Sequence, residues 1–321
     1  MSYLPLAMTS QTTSAEIEGL TKREYTVSLR KAFSHCESVT RNHYENFPVG
    51  SRLIPRSLRP HVCSIYAFAR AADDFADEPG MKDTERLIRL DRWEERLNAC
   101  LTAPDGPVFT ALAETIRTHH IPTQLLRDLL WAFRLDVTTQ RYQTFDDLLS
   151  YCRYSANPIG RLILHLFGHR DERRLLLSDA ICSALQLTNF WQDVAVDFSR
   201  GRVYIPQDDM NRFDVTEENL ADERVTPGFD DLLEFEIART ETLFKDGRSL
   251  SETVTGRLKF ELRLTRLGGL RILDKIRQNE YDVFRRRPRI TALDHARLLL
   301  RCLFPKSTND LTSASPDPHE D

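Results

Sequence analysis

Apolar side chains recur every three or four positions along most of this chain, and no stretch alternates apolar and polar residues as a half-buried strand does. The segment HVCSIYAFA, beginning at residue 61, is almost wholly apolar, and the spacing predicts a buried helix over 60–78 opened by Pro60. Further helices are predicted over 84–101, over 107–119 after the break at PDGP, and over 123–140. In the last of these Leu125, Leu126, Leu129, Leu130 and Phe133 form a clear stripe. Another starts near Phe145, with Asp146 and Asp147 in a first turn where the helix dipole favours acids. It runs toward Gly168 but must kink or break at Asn157-Pro158. A long, largely buried helix is predicted over 172–198, a loop at GRVYIPQDD, and helices over about 229–250, 257–280 and 291–303. There is no internal repeat and no long linker. The expectation is an all-α, single-domain helical bundle.

Composition narrows this picture. Only 12 of 321 residues are glycine, which suits helices, and 41% hydrophobic content is ordinary for a globular chain. A net charge of −4 gives no reason to expect nucleic acid as a partner. No apolar run approaches the length of a membrane span, and MSYLPLAMTSQTTSAEIEG lacks the charged and apolar regions of a secretory leader. Six scattered cysteines without a CxxC read as reduced, buried thiols, so a cytoplasmic location is expected, with peripheral membrane contact left open. Residues 1–25 are expected to be a flexible N-terminus, 26–304 the helical domain and the polar 305–321 a disordered tail.

Two acidic clusters interrupt this apolar background. RAADDFADE, residues 70–78, places four carboxylates in its last six positions. Tyr66, Arg70, Asp73 and Asp77 are spaced 4, 3 and 4 and share one helix face. In QLTNFWQDVAVDFSRGR, residues 186–202, Gln186, Asn189, Asp193 and Asp197 are spaced 3, 4 and 4 and form a second such stripe. A solvated helix face could carry either one. Two stripes of the same form in apolar surroundings point instead to a cation. Mg²⁺ takes oxygen ligands, keeps several waters and is held by one or two carboxylates together with substrate phosphates. Two facing helices bearing Asp-xxx-Asp could hold such ions against a diphosphate. The histidines form no HExxH and none lies on these stripes, which argues against a zinc hydrolase.

YAFARAADDFADE and QLTNFWQDVAVDFSRGRVYIP resemble the two aspartate motifs of the squalene/phytoene synthase family, and YCRYSANPIGRL, residues 151–162, resembles a third family segment. The resemblance runs from about residue 33 to 290. HYENFPVGSRLIP, SANP and NFWQD resemble the hydroxysqualene synthase branch of hopanoid biosynthesis in particular. Gln192 stands where relatives carry an arginine, matching the smaller positive charge that one diphosphate requires.

The resemblance implies a class I isoprenoid synthase fold with a central cavity. It implies loss of diphosphate from presqualene diphosphate, assisted by two or three Mg²⁺ ions, and capture of the rearranged cation by water to give hydroxysqualene, without NADPH. Asp73, Asp77, Asn189, Asp193 and Asp197 would hold metal, with Gln186 and Asn189 orienting ligands or water. Arg70, Arg202, Tyr204, Arg285 and Arg286 would contact the diphosphate, with Arg271 a weaker candidate. Tyr66 and Tyr151 would stand near the reacting centre, and His43 and Phe47 in a segment over the pocket. A presqualene diphosphate synthase upstream and a hydroxysqualene reductase downstream are the implied functional partners. The alternatives are an enzyme of the same fold that joins two prenyl diphosphates (presqualene diphosphate, squalene or phytoene synthase), a terpene cyclase, and a non-catalytic helical assembly protein.

Overall fold

The computed structural model describes residues 22–42 and 54–303, and these are helical apart from turns and one isolated parallel bridge between Arg141 and Val203. They divide into two compact units. One comprises residues up to 139 together with 161–170, and the other 140–160 together with 171 onward.

The first unit contains α1 (Lys22–Asn42), α2 (Arg59–Asp77), α3 (Asp83–Ala99), α4 (Gly106–His119) and α5 (Thr123–Thr138). Helix α2 buries Val62, Ile65, Phe68, Ala72 and Ala76 along one face. Phe68 meets Trp93 of α3 and Phe109 of α4, with ring centroids 6.0 and 6.1 Å away. The Trp93 indole N–H donates to the Phe68 carbonyl at 3.3 Å, so the buried ring keeps a polar partner. Arg96 lies over both the Trp93 and Phe109 rings. A polar knot sits beside this core. His61 Nδ1 and Ser64 Oγ both hydrogen-bond Thr115 Oγ1, at 2.9 and 2.8 Å. Burial, and then the neighbouring His119, lower the His61 pKa to about 4, so the ring is neutral.

The second unit starts with α6 (Phe145–Ser155), opened by a capping box between Thr144 and Asp147. The break predicted at Asn157-Pro158 falls at Ala156, and α7 (Asn157–Leu166) starts anew with proline in its first turn. The boundary between the units falls inside α7. Helix α8 (Glu172–Gln192) packs closely on the start of α7. A Cβ on Gly160 would overlap the Ser178 hydroxyl and the Cys182 thiol, and Ser183 donates to Asn157 at 2.9 Å. Next come α9 (Val194–Ser199), α10 (Gln207–Arg212), α11 (Glu217–Ala221), α12 (Pro227–Asp246), a 3-10 segment (Gly247–Glu252), α13 (Gly256–Gln278) and α14 (Ala292–Leu303). Trp191 is fully buried and donates to Thr240 of α12 at 2.9 Å.

The structure departs from the sequence reading in several places. Helix α1 begins at Lys22, inside the stretch assigned to the N-terminus, while α10 takes in the end of the GRVYIPQDD loop and α11 lies in 210–228, where no element is predicted. Arg271, the weaker candidate of the basic residues, joins Lys275 in pairing with the buried Asp294, fastening α14 to α13. The rest of 1–25, and 305–321, lie outside the described residues. The six cysteines form no disulfide, and all but the partly buried Cys182 are buried.

Candidate functional site

In the first unit the α2 stripe forms as the spacing predicts. Tyr66, Arg70 and Asp73 are half-buried, and Asp77, the last helical residue, is exposed. Arg70 bridges two carboxylates, reaching Asp73 at 3.1 Å and Asp74 at 2.7 Å, although Asp74 lies off the stripe. Its Nε–H is buried without an acceptor among the described residues. Burial holds the Tyr66 phenol above its usual pKa, so it stays a hydrogen-bond donor.

In the second unit the predicted single helix over 172–198 is broken at Asp193, whose backbone (φ −110°, ψ 17°) separates α8 from α9. The acidic stripe survives, because Asp193 N–H still bonds Asn189 O and Asp197 N–H still bonds Asp193 O, both at 2.9 Å. Gln186 is half-buried, Asn189 is exposed and Asp193 is buried. Burial, and then the Asp193 charge, push Asp197 up to about 7, against the opposing pull of Arg202, Arg200 and Arg287.

Helix α9 ends in a Schellman motif. Gly201, at φ +80°, donates to Phe198 O, and Arg202 N–H returns to Asp197 O at 2.9 Å. This turn explains the Gly-Arg pair of the second motif: only a left-handed residue swings the following arginine back toward Asp197. The 201–206 loop is then pinned along residues 140–143. Val203 N–H bonds Gln140 O, and Arg141 grips Glu217 through two parallel hydrogen bonds and Gly201 O through a third. The pinned loop stacks Tyr204 on Phe190 with centroids 3.8 Å apart. Tyr142 and Tyr151 complete a four-ring cluster, in which Tyr151 is 4% exposed. A cavity of about 10 Å³, room for one water, lies among Asp197, Phe190, Arg202, Tyr204 and neighbouring apolar side chains.

In the basic run 285–289, Arg287 is the residue that meets the acidic stripe. Arg285 and Arg286 have exposed side chains, and Asp282 and Asn279 bond only their backbones. Arg287 instead grips the Asp193 carboxylate with two hydrogen bonds, and the Gln192 amide donates to Pro288 O at 2.5 Å. His43 and Phe47 lie outside the described residues.

The donor chemistry fits a divalent cation. Asp193 and Asp197 place two carboxylates in a partly buried setting, and the raised Asp197 pKa reflects first its burial and then the Asp193 charge. Among the described residues no three His, Cys, Asp or Glu side chains converge as a ready metal-binding group. An ion held here would need water and substrate oxygens to complete its shell, as Mg²⁺ tolerates.

A family model described as squalene/phytoene synthase matches residues 40–294. The chain belongs to the squalene/phytoene synthase family. A hydroxysqualene synthase from Zymomonas mobilis subsp. mobilis is 36% identical over 214 residues, covering 65% of this chain and 71% of that protein. A phytoene synthase from Arthrospira platensis is 32% identical over 274 residues, covering 80% and 87%. The crystal structure of squalene synthase HpnC from Alicyclobacillus acidocaldarius superposes with a TM-score of 0.75 at 42% identity, covering 79% of this chain and 96% of that one. Such neighbours assign this chain, like its family, the class I isoprenoid synthase fold. Members of the family process prenyl diphosphates. Arg287 is the site residue that sequence reasoning missed. Three consecutive arginines look alike in sequence, and only the placement of Pro288 against Gln192 singles one out.

Proposed function

We propose that this enzyme converts presqualene diphosphate to hydroxysqualene, releasing diphosphate and ending the reaction with water. The observation that carries this reading is the neutral Gln192. It spends its amide on Pro288 O and so adds no cation beside the Asp193–Arg287 pair, which suits one diphosphate better than two. The likeness to relatives called hydroxysqualene synthase and squalene synthase HpnC supports it. Bound Mg²⁺ would supply charge neutralisation for the departing diphosphate. Asp73, Asp77, Asp193, Asp197 and Asn189 would hold the ions. Arg70, Arg202 and Arg287 would offer N–H donors to phosphate oxygens, fixing the leaving group as its charge grows. The faces of Tyr151, Tyr204 and Phe190 would stabilise the allylic cation, and their burial would restrict water at the reacting carbon.

The test is a product assay with purified protein, Mg²⁺ and presqualene diphosphate, without NADPH, read by mass spectrometry. Hydroxysqualene should form, and should disappear with EDTA or in Asp193→Ala. The likeness to phytoene synthases favours one other reading, the joining of two prenyl diphosphates. Consumption of farnesyl or geranylgeranyl diphosphate, with presqualene diphosphate left untouched, would establish that reading in place of ours.

A further inference from the structure

Helix α14 has two apolar faces, and only one is used. Asp294, Leu298 and Cys302, spaced by four, are buried and turn toward the unit's interior, where Asp294 meets Arg271 and Lys275 of α13. At 100° per residue Ala292, Leu293, Ala296, Leu299, Leu300 and Leu303 fall on another side of the helix, and all six are exposed. Leu293 is 60% exposed, Leu299 42%, Leu300 58% and Leu303 61%. One such leucine would mean nothing; four on one side of one helix form a patch that water disfavours.

The charge around the patch is of one sign. Arg297 and Arg301 lie along one edge of it and His295 along the other, all exposed, and Arg285, Arg286 and Arg289 are exposed just before the helix. From 283 to 303 the one acid is Asp294, which is buried and already paired with two cations. This cationic concentration stands on a chain whose net charge is −4. Residues 305–321 offer Leu311 as their one large aliphatic residue and carry several acids, so they lack the apolar area to cover four leucines.

We propose that α14 is a membrane-docking helix, lying in the plane of an anionic lipid surface with its leucines among the acyl chains and its arginines against the headgroups. An apolar face bordered by cations is the arrangement such interfacial helices share. No described helix is long and apolar enough to cross a membrane; the contact proposed for α14 is a lateral one. The inference rests on α14 alone and stands whichever prenyl diphosphate the enzyme consumes.

The experiment is vesicle flotation of the full chain with phosphatidylcholine alone and with phosphatidylcholine containing a minor fraction of phosphatidylglycerol. The protein should float with the anionic vesicles, little with the neutral ones, and less as salt is raised. Leu300→Glu should weaken binding by about tenfold or more. Arg297→Glu or Arg301→Glu should each weaken it by at least about fivefold, the equivalent of about 1 kcal/mol per arginine near such a surface. Leu176→Glu, at an exposed leucine on α8, should leave binding unchanged, and circular dichroism checks that every variant is folded. Absence of flotation, or flotation unaffected by Leu300→Glu and the arginine variants alike, would overturn the proposal. So would light scattering showing a dimer that Leu300→Glu dissociates, because a second copy would then be what covers the leucines.

Discussion

The Asp193–Arg287 pair occupies a carboxylate that metal binding would require. Removing the guanidinium leaves a mostly buried charge beside Asp197, and a divalent cation is then the obvious compensation. Arg287→Gln should therefore bind Mg²⁺ more tightly in calorimetry, by roughly five- to thirtyfold or about 1–2 kcal/mol. If Arg287 donates to the diphosphate as proposed, the variant should also turn over more slowly. Gln192→Ala, which frees Pro288 O, should shift the affinity in the same direction but less. Unchanged affinity in both would show that the pair is no obstacle to metal. His61 gives a prediction of the opposite electrical kind. Its pKa lies at about 4 when folded against 6.5 when free, so between those values the unfolded chain binds more protons. Stability should rise as pH climbs through that window and fall on acidification. His119 and His165 are lowered too and add to the slope. His61→Gln, which keeps a hydrogen-bonding group beside Thr115, should flatten the dependence of melting temperature on pH between about 4 and 6.5.

At the scale of elements, two glycines do different work. Gly160 lets α7 meet α8, and its replacement by alanine should cost about 1–3 kcal/mol through overlap with Ser178 and Cys182, read as a lowered denaturation midpoint. Gly201 supplies a left-handed turn with open space around it. Gly201→Ala should cost about 1 kcal/mol or more of stability and, by moving Arg202, should lower kcat/KM more than it lowers the melting temperature. How much of this was legible beforehand follows from the forces at work. Helices α2 to α8 announced themselves because their apolar stripes are long and most of their breaks lie at Pro or Gly. Helix α1 did not, because KREYTVSLRKAFSHCESVTRN is mostly polar. Helices α10 and α11 hold only one or two turns, α11 being set by its Thr216 capping box. Both acidic stripes were readable as spacing, since an aspartate every fourth residue means the same before and after folding. The elbow at Asp193, the Arg70 bridge to Asp74 and the choice of Arg287 over its two neighbours depend on tertiary placement, which no local pattern encodes.

At the scale of the molecule, α7 has a consequence for how the protein is made. The chain leaves the first unit after residue 139, rejoins it for 161–170 and departs again. Neither unit is a continuous piece of polypeptide, and no single cut releases one intact. A fragment ending at residue 139 lacks Leu162, Leu164 and Leu166, all buried, and should be unfolded or molten by near-UV circular dichroism and proteolysis. Adding the segment through residue 170 should not restore it fully, because that fragment drags along 140–160, whose own partners come later in the chain. During synthesis, then, the first half must wait, exposing apolar helix faces until much of the second half has emerged. Protection in that interval falls to whatever shields nascent chains, and the rate at which ribosomes deliver residues 171 onward becomes a determinant of yield.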